Sequence, residues 1–304
     1  MKIITYGDLR SKGSLLPLLE QAFGWPFNER EFSKFLKIDP RLRNGSVGFC
    51  AIEDGKAVSY VGVMDLATRT LSGRTEYVGG IYGVATLPGY TRHGFSAALF
   101  DAAHEYFKEK GYRFSFLNTS PILVAYSLYR KLGYSDVIHY PSAYKILTKK
   151  AAPSKEEAGE KPDLERVLGV YNTYTKDKVG FVVRDRSYLQ MLVKDKMLVG
   201  KGTICREKGY VVFKKEPYST RIRELVALEK DEAERLIEAV EQKARDIVFA
   251  RGVLDKTLLR VYQSKGYTIL NTGHSVFMVK PLLTETSFEQ VYGEGFFQTQ
   301  LDHF

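Results

Sequence analysis

Ile81-Tyr82-Gly83-Val84-Ala85-Thr86-Leu87-Pro88-Gly89-Tyr90-Thr91-Arg92-His93-Gly94-Phe95-Ser96-Ala97-Ala98-Leu99-Phe100 reads as an apolar strand over 82–87, a short loop, and the start of an amphipathic helix. The helix carries Phe95, Leu99, Ala102, Tyr106 and Phe107 on one side, and Gly111 beyond its end suits a C-cap. A helix start offers N–H groups without intrahelical partners and the positive end of the dipole. A strand-loop-helix of this kind is therefore suited to holding phosphate. Gly94 stands where backbone must approach a phosphate closely. About forty residues on, Leu128-Tyr129-Arg130-Lys131-Leu132-Gly133-Tyr134 ends a second helix and delivers Tyr129 just before a turn. Each residue has a plainer reading: a turn glycine, solvated Arg92 and His93, a packing tyrosine. Their order and spacing together favour a ligand site.

The arrangement resembles the acyl-CoA-binding core of the GCN5-related N-acetyltransferases, the GNAT superfamily. The family's loop, Arg/Gln-x-x-Gly-x-Gly/Ala, falls on Thr91-Arg92-His93-Gly94-Phe95-Ser96. Gly94 fits, Thr91 replaces Arg or Gln, and Ser96 replaces Gly or Ala. The grip on the coenzyme A pyrophosphate is mainly by backbone amides, and Arg92 offers a cation. In the family's later helix pattern, Ala125, Leu128, Tyr129, Lys131, Gly133 and Tyr134 are in register, with Ile122 where Asn is usual. The resemblance implies acetyl-CoA as co-substrate, held by Val84, Ala85 and Thr86 of the strand and by Thr91, Arg92, His93, Gly94, Phe95, Ser96 and Ala97 of the loop. It implies Tyr129 as general acid; a phenol with an ordinary pKa near ~10 is protonated at neutral pH and can donate to a leaving thiolate.

At 304 residues the chain has room for two domains of ordinary size. Hydrophobic residues at 44% and charged residues at 27% give a globular balance with no apolar run of membrane-spanning length. The first residues read as a strand without a signal-peptide core, so a cytoplasmic location is expected. Cys50 and Cys205 fall in different halves and in no metal-binding spacing, so neither a disulfide framework nor a metal site is expected. The net charge is +9, but Lys and Arg are spread along the sequence. This favours solubility and attraction of a polyanionic cofactor over a nucleic-acid partner. The expected partner is a small-molecule or peptide amine, with no membrane.

The first half alternates strand and helix in the order β-α-α-β-β-β-α-β-α-β, closing on a strand over 138–147. Hairpins are signalled by Asp54-Gly55 and Ser72-Gly73, and Asn28-Glu29-Arg30-Glu31 resembles a capping box. Residues 149–163 lack aromatic and large aliphatic side chains and read as a linker. Strands then follow at 202–207, 210–214, 222–228 and 247–250, with helices at 231–245 and 256–263. Val261-Tyr262-Gln263-Ser264-Lys265-Gly266-Tyr267 echoes the segment ending at Tyr134, which suggests a duplicated fold. The second copy has no glycine loop, and acidic residues stand in its place between 228 and 234; they would repel a pyrophosphate. The expected class is α/β (α+β): two tandem GNAT-like domains, each a mixed central sheet flanked by helices. The expected spans are 1–148 (catalytic), 149–163 (linker), 164–282 (degenerate) and 283–304 (tail).

Two GNAT folds with one working site resemble the enhanced-intracellular-survival (Eis) type acetyltransferases, as does Tyr171-Asn172-Thr173-Tyr174 followed by Gly180-Phe181 and Arg184. Those proteins continue into a sterol-carrier-like third domain, for which the residues after Leu282 leave no room in this sequence. The resemblance leaves the general base open. The strand position where some relatives carry glutamate is Gly80 here, and nearby Glu76 reads as a solvated strand end. In Eis-type enzymes the C-terminal carboxylate is the usual candidate, which points to Phe304 at the end of the aromatic tail, with Asp302 and His303 behind it. Phe23, Trp25, Phe27 and Tyr82 are candidates for the acceptor pocket, by apolar contact or cation–π attraction. Two other readings are a non-catalytic acyl-CoA-binding regulator and a tRNA-dependent aminoacyltransferase.

Overall fold

The computed structural model describes residues 1–24, 27–148, 161–271, 273, 275–283 and 286–302. Most of the expected linker, Trp25, His303 and Phe304 lie outside the described residues. The first half contains β1 (Lys2–Thr5), α1 (Leu16–Phe23), α2 (Glu29–Ile38), β2 (Gly48–Glu53), β3 (Lys56–Arg69), β4 (Thr75–Thr86), α3 (Phe95–Glu109), β5 (Phe114–Thr119), α4 (Val124–Lys131), β6 (Ser135–His139) and β7 (Ser142–Ile146). The second contains α5 (Leu164–Tyr174), β8 (Val179–Gly180), α6 (Arg186–Lys194), β9 (Thr203–Arg206), β10 (Gly209–Lys215), β11 (Thr220–Ala227), α7 (Lys230–Glu241), β12 (Ile247–Arg251), α8 (Lys256–Ser264), β13 (Thr268–Leu270), β14 (Val276–Pro281), α9 (Phe288–Tyr292) and β15 (Phe296–Phe297). No described helix is long and apolar enough to cross a membrane.

Two mixed sheets result, in the orders β1-β2-β3-β4-β5-β14-β6 and β13-β7-β12-β11-β10-β9. The expected single strand over 138–147 is two strands in two different sheets. Pro141 cannot donate to a ladder and lies at the crossing point. Strand β7 leaves to lie between β12 and β13, and β14 returns to fill the slot between β5 and β6. The halves thus exchange one strand each, and the spans 1–148 and 164–282 do not correspond to separate sheets.

Each face of the first sheet has its own core, as strand alternation requires. Val61, Val63, Ile81 and Leu117 pack under α3 and α4 with Leu99, Phe100 and Tyr129. Met64, Leu66, Phe114, Phe116 and Phe277 face the other way and are covered by Phe288, Tyr292 and Phe296 of the aromatic tail. In the second sheet, α7 and α8 cover Val211, Ile222, Val248 and Ala250, while α5 and α6 cover Tyr210, Val212 and Val226.

The duplication is visible at the ends of α4 and α8. Tyr134 N–H donates to the Tyr129 carbonyl at 3.0 Å, and Tyr267 N–H donates to the Tyr262 carbonyl at 3.0 Å. Both turns pass through a left-handed glycine, Gly133 at φ 89° and Gly266 at φ 80°. This is the Schellman ending of a helix, formed twice from the same pattern.

Gly79 and Gly80 set how closely the first sheet is packed. A Cβ on Gly79 would stand 2.3 Å from the Phe107 ring, and one on Gly80 would stand 2.7 Å from Leu66. Gly79→Ala should therefore destabilise the fold by about 1–3 kcal/mol through overpacking. Chemical denaturation measures this; an unchanged midpoint would show that Phe107 can withdraw.

Candidate functional site

Strands β4 and β5 are parallel neighbours, but they pair only at Gly79↔Ser115 and Gly80↔Phe116. Beyond that rung, β4 runs on to Thr86 and β5 to Thr119 without mutual pairing. The sheet opens there into a V. Its β4 edge is bulged: Tyr60 pairs with Ala85 and Gly62 with Tyr82, so Gly83 and Val84 together oppose Val61. Gly83 sits at φ 58°, in the left-handed region that glycine alone adopts cheaply. Beyond Gly80 the β5-facing backbone groups of β4 have no partner in β5 and can meet a ligand in the gap.

Helix α3 begins at the mouth of this V. Its N-cap residue, Gly94, lies at φ 80°, and no side chain caps the helix. Arg92 is also left-handed at φ 64°. The first-turn N–H groups have no intrahelical acceptor, and the dipole adds positive potential. Thr91, Arg92, His93 and Gly94 are exposed, and a Cβ on Gly94 would meet nothing within 4 Å. Phe95 is buried and anchors the helix start against Tyr90, ring centroids 5.9 Å apart. Ser96, a departure from the family pattern, joins a hydroxyl chain. Its Oγ is 2.8 Å from Thr86 Oγ1, which is 2.7 Å from Ser59 Oγ, which donates to the Ala85 carbonyl at 3.1 Å. The chain fastens the helix start to β4 and β3. Val84 packs toward α3, and Ala97 is half-buried in its first turn.

Tyr129 is 7% exposed and packs against Phe100 and Tyr134 at centroid distances of 5.6 Å and 6.3 Å. Burial alone pushes its phenol up to about 12, and no described group hydrogen-bonds its hydroxyl. It therefore keeps its proton at neutral pH with no standing acceptor. Tyr134, by contrast, is fully engaged. Its hydroxyl is 2.6 Å from Ser115 Oγ and 2.9 Å from His104 Nε2. Lys280 on β14 donates to His104 Nδ1 at 3.3 Å. That donation places the imidazole proton on Nε2, where it donates to Tyr134. The sequence reading missed this network because its members lie on four separate elements.

The remaining candidates are placed as follows. Tyr82 is half-buried, and its hydroxyl donates to the Val47 carbonyl at 2.9 Å. Phe27 packs on Phe32 with centroids 5.4 Å apart, at the edge of the core containing Tyr6 and Leu19. Phe23 is 39% exposed at the end of α1. Glu76 is not the solvated strand end expected: its carboxylate is ion-paired with Arg113 and accepts from the Tyr292 hydroxyl at 2.6 Å. Asp302 is 4% exposed and accepts from Arg184 at 2.6 Å and from the Thr299 N–H at 2.8 Å. Before that anchor the tail passes the β5 side of the V, where the Tyr140 hydroxyl stands 2.7 Å from Asn118 Oδ1 and 2.6 Å from Gln298 Oε1.

The second sheet repeats the opening between β11 and β12, which pair only over Thr220–Ile222 and Val248–Ala250 while β11 continues to Ala227. Here the gap is filled. Tyr174, Phe297, Gln298 and Thr299 line it beside Tyr262, and a cavity of about 30 Å³ remains. The connection to α7 is direct, and Asp231 and Glu232 occupy the helix's first turn.

Residues 13–137 match the family model of the acetyltransferase (GNAT) domain. The match takes in α3, its loop and Tyr129. No curated protein matches the chain in sequence. Among solved structures, a GCN5-related N-acetyltransferase from Kribbella flavida superposes with a TM-score of 0.67 at 19% identity, over 92% of this chain and 72% of that one. A GCN5-related N-acetyltransferase from Anabaena variabilis gives 0.65 at 18% identity, over 93% and 73%. Eis1 from Mycobacterium abscessus gives 0.55 at 15% identity, over 93% and 74%. At these identities the likeness is one of fold. The architecture is two GNAT-like domains in tandem, both mixed sheets flanked by helices.

His104 makes the network pH-sensitive. Burial, then the positive charges of Lys280 and Lys108, push its imidazole from 6.5 down to about 3. A depressed folded-state value means that the unfolded chain takes up the proton first. The stability this neutral histidine contributes is present above pH 6.5 and lost as pH falls toward 3. Denaturation across that window should show a component of up to about 1.4 kcal/mol per pH unit. His104→Gln should remove it; an unaltered pH slope in the variant would show that the imidazole is not held neutral.

Proposed function

We propose that the first GNAT-like domain transfers an acetyl group from acetyl-CoA to a primary amine, with Tyr129 as general acid. The observation that carries this reading is the V between β4 and β5 with the uncapped start of α3 at its mouth. Open space around Gly94 leaves room for a pyrophosphate against the N–H groups of residues 92–97. The stretch of β4 beyond its last rung with β5, through Gly83 and Val84, offers backbone groups to the pantetheine arm and the thioester. Arg92 supplies the cation that Thr91 does not.

In this reading the amine nitrogen attacks the thioester carbonyl. A C–N bond forms, the C–S bond breaks, and the thiolate takes the Tyr129 proton. A phenol raised by burial and without a hydrogen-bond acceptor is suited to that step. The amine's own proton leaves to a base. Position 80 cannot supply one, because a side chain there would run into Leu66 and Met64. Glu76 and Asp302 are held by arginines. We assign the base to the Phe304 carboxylate, supported by the course of the tail past Asn118, with the proton carried directly or through water. Phe23, Trp25, Phe27 and Tyr82 are the proposed aromatic contacts of the acceptor.

Tyr129→Phe should lower kcat by roughly a hundredfold while leaving acetyl-CoA affinity nearly intact, since only the transferable proton is lost. Wild-type turnover at saturating substrate would make Tyr129 a packing residue. Gly94→Glu would put a carboxylate where the pyrophosphate must lie, and calorimetry should show binding of acetyl-CoA abolished. Unchanged affinity in that variant would move the cofactor elsewhere.

A further inference from the structure

The two faces of the second sheet are unequally covered. Val248, Ala250, Ala143 and Ile222 point into the core beneath α7 and α8. On the opposite face, α5 and α6 reach the Tyr210 side of the sheet, and no described element covers the side made by β12, β7 and β13. A continuous cross-strand row lies there, fixed by register: Lys214 pairs with Arg221, Arg221 with Phe249, Phe249 with Tyr144, and Tyr144 with Thr268. Paired residues share a face, so two cations and two rings stand side by side across four strands. Tyr144 and Phe249 are stacked, with centroids 5.7 Å apart and planes at 30°. Both are half-buried, and the Arg251 guanidinium stands over the Phe249 ring, 6.0 Å from its centroid.

Two more arginines flank the row. Arg251, two residues beyond Phe249 on the same face, is exposed. Arg223 sits at the β11 register shift opposite Val212 and Phe213, and it donates to the Met197 carbonyl at 3.4 Å. Acid on this side is sparse. Glu216 accepts from Arg221 at 3.1 Å, and Asp195 acts on Arg223. The guanidiniums of Arg223 and Arg251 are both pushed down, by burial first and then by Arg221. Lys214, Arg221, Arg223 and Arg251 thus outnumber Glu216 and Asp195, and the surplus positive charge is relieved by an anion.

We propose that this face binds single-stranded nucleic acid, with bases on the Tyr144–Phe249 platform and phosphates on Lys214, Arg221, Arg223 and Arg251. Flat rings beside a track of cations match unpaired bases on a phosphate chain. A duplex keeps its bases stacked and offers no flat face to the rings. A twofold contact with a second copy would bring each arginine cluster toward its own like charge. The sequence conceals the patch, because its residues come from three separate stretches, at 144, at 214–223 and at 249–251. This inference does not rest on the acetyl-transfer reading, and the residues involved are not placed in that site.

The test is fluorescence anisotropy of the full chain with a labelled single-stranded oligouridylate, titrated over salt. Binding should weaken with a log–log slope of roughly −2 to −3, as expected for three to four phosphate contacts at about 0.7 each. Phe249→Ala should weaken it about tenfold at constant salt, and Arg251→Glu should weaken it at least as much while flattening the salt slope. Circular dichroism checks the fold. Lys214→Glu, at an exposed position, gives the charge-reversal arm should Phe249→Ala unfold. Wild-type affinity in all three variants would overturn the proposal, as would equal affinity for duplex. Binding to phosphatidylserine vesicles without binding to the oligonucleotide would assign the face to a membrane instead. A sedimenting mass that falls in the variants would assign it to a second copy of the chain.

Discussion

Two rungs of parallel pairing, Gly79 with Ser115 and Gly80 with Phe116, hold the first domain's halves together, and the site exists because the pairing stops there. Both glycines are needed for that short contact. Phe107 of α3 closes on Gly79 from one face, and Leu66 and Met64 close on Gly80 from the other. The sheet is clamped at its last rung and released above it. The same packing explains why this chain has no carboxylate at position 80. A side chain there would break the clamp.

What keeps the V open is the fastening of its rim. The hydroxyl chain from Ser96 through Thr86 to Ser59 ties the start of α3 to the β4 edge. The network through Ser115, Tyr134 and His104 ties the turn after α4 to β5 and α3. Both sets are buried or half-buried, where a hydrogen bond contributes about 1 kcal/mol and an orphaned partner costs more. Strand β14 brings Lys280 to that network from the second half of the chain. The exchange of β7 for β14 makes each sheet incomplete without the other half, so the site's rigidity depends on the whole chain.

The fold was largely legible in the sequence because its signals are local. The strand-loop-helix at Gly94, the hairpin turns at Gly55 and Gly73, and the repeated Tyr-x-x-x-Gly-Tyr helix ending each depend on residues within a few positions. The strand exchange was not legible. The residues of β7 and β14 have the same β propensity whichever sheet receives them, and the choice is made by partners more than a hundred positions away. For the same reason Glu76 looked solvated: Arg113 and Tyr292, which hold it, are distant in sequence. The role of Ser96 was hidden because a hydroxyl reads as a poor glycine until Thr86 is seen beside it.

The second sheet shows what separates an open cleft from a closed one. Its strands β11 and β12 part after a short pairing as β4 and β5 do, and α8 carries Tyr262 in its last turn as α4 carries Tyr129. Two differences close it. Direct connection into α7 removes the glycine turn, and Asp231 and Glu232 neutralise the helix start that would otherwise attract phosphate. The chain's own tail then fills the gap: Gln300 donates to the Arg251 carbonyl at 3.1 Å, and Thr299 donates to Glu224 at 2.6 Å. Below them Arg184, 2% exposed at its side chain, bridges Glu224 and Asp302. Removing one partner from such a buried set costs about 3–5 kcal/mol, because the remaining charge is left in a dry interior. The tail is thereby fixed in the second cleft, and its aromatic residues roof the far face of the first sheet. One segment thus closes the duplicate site and supports the floor of the open one.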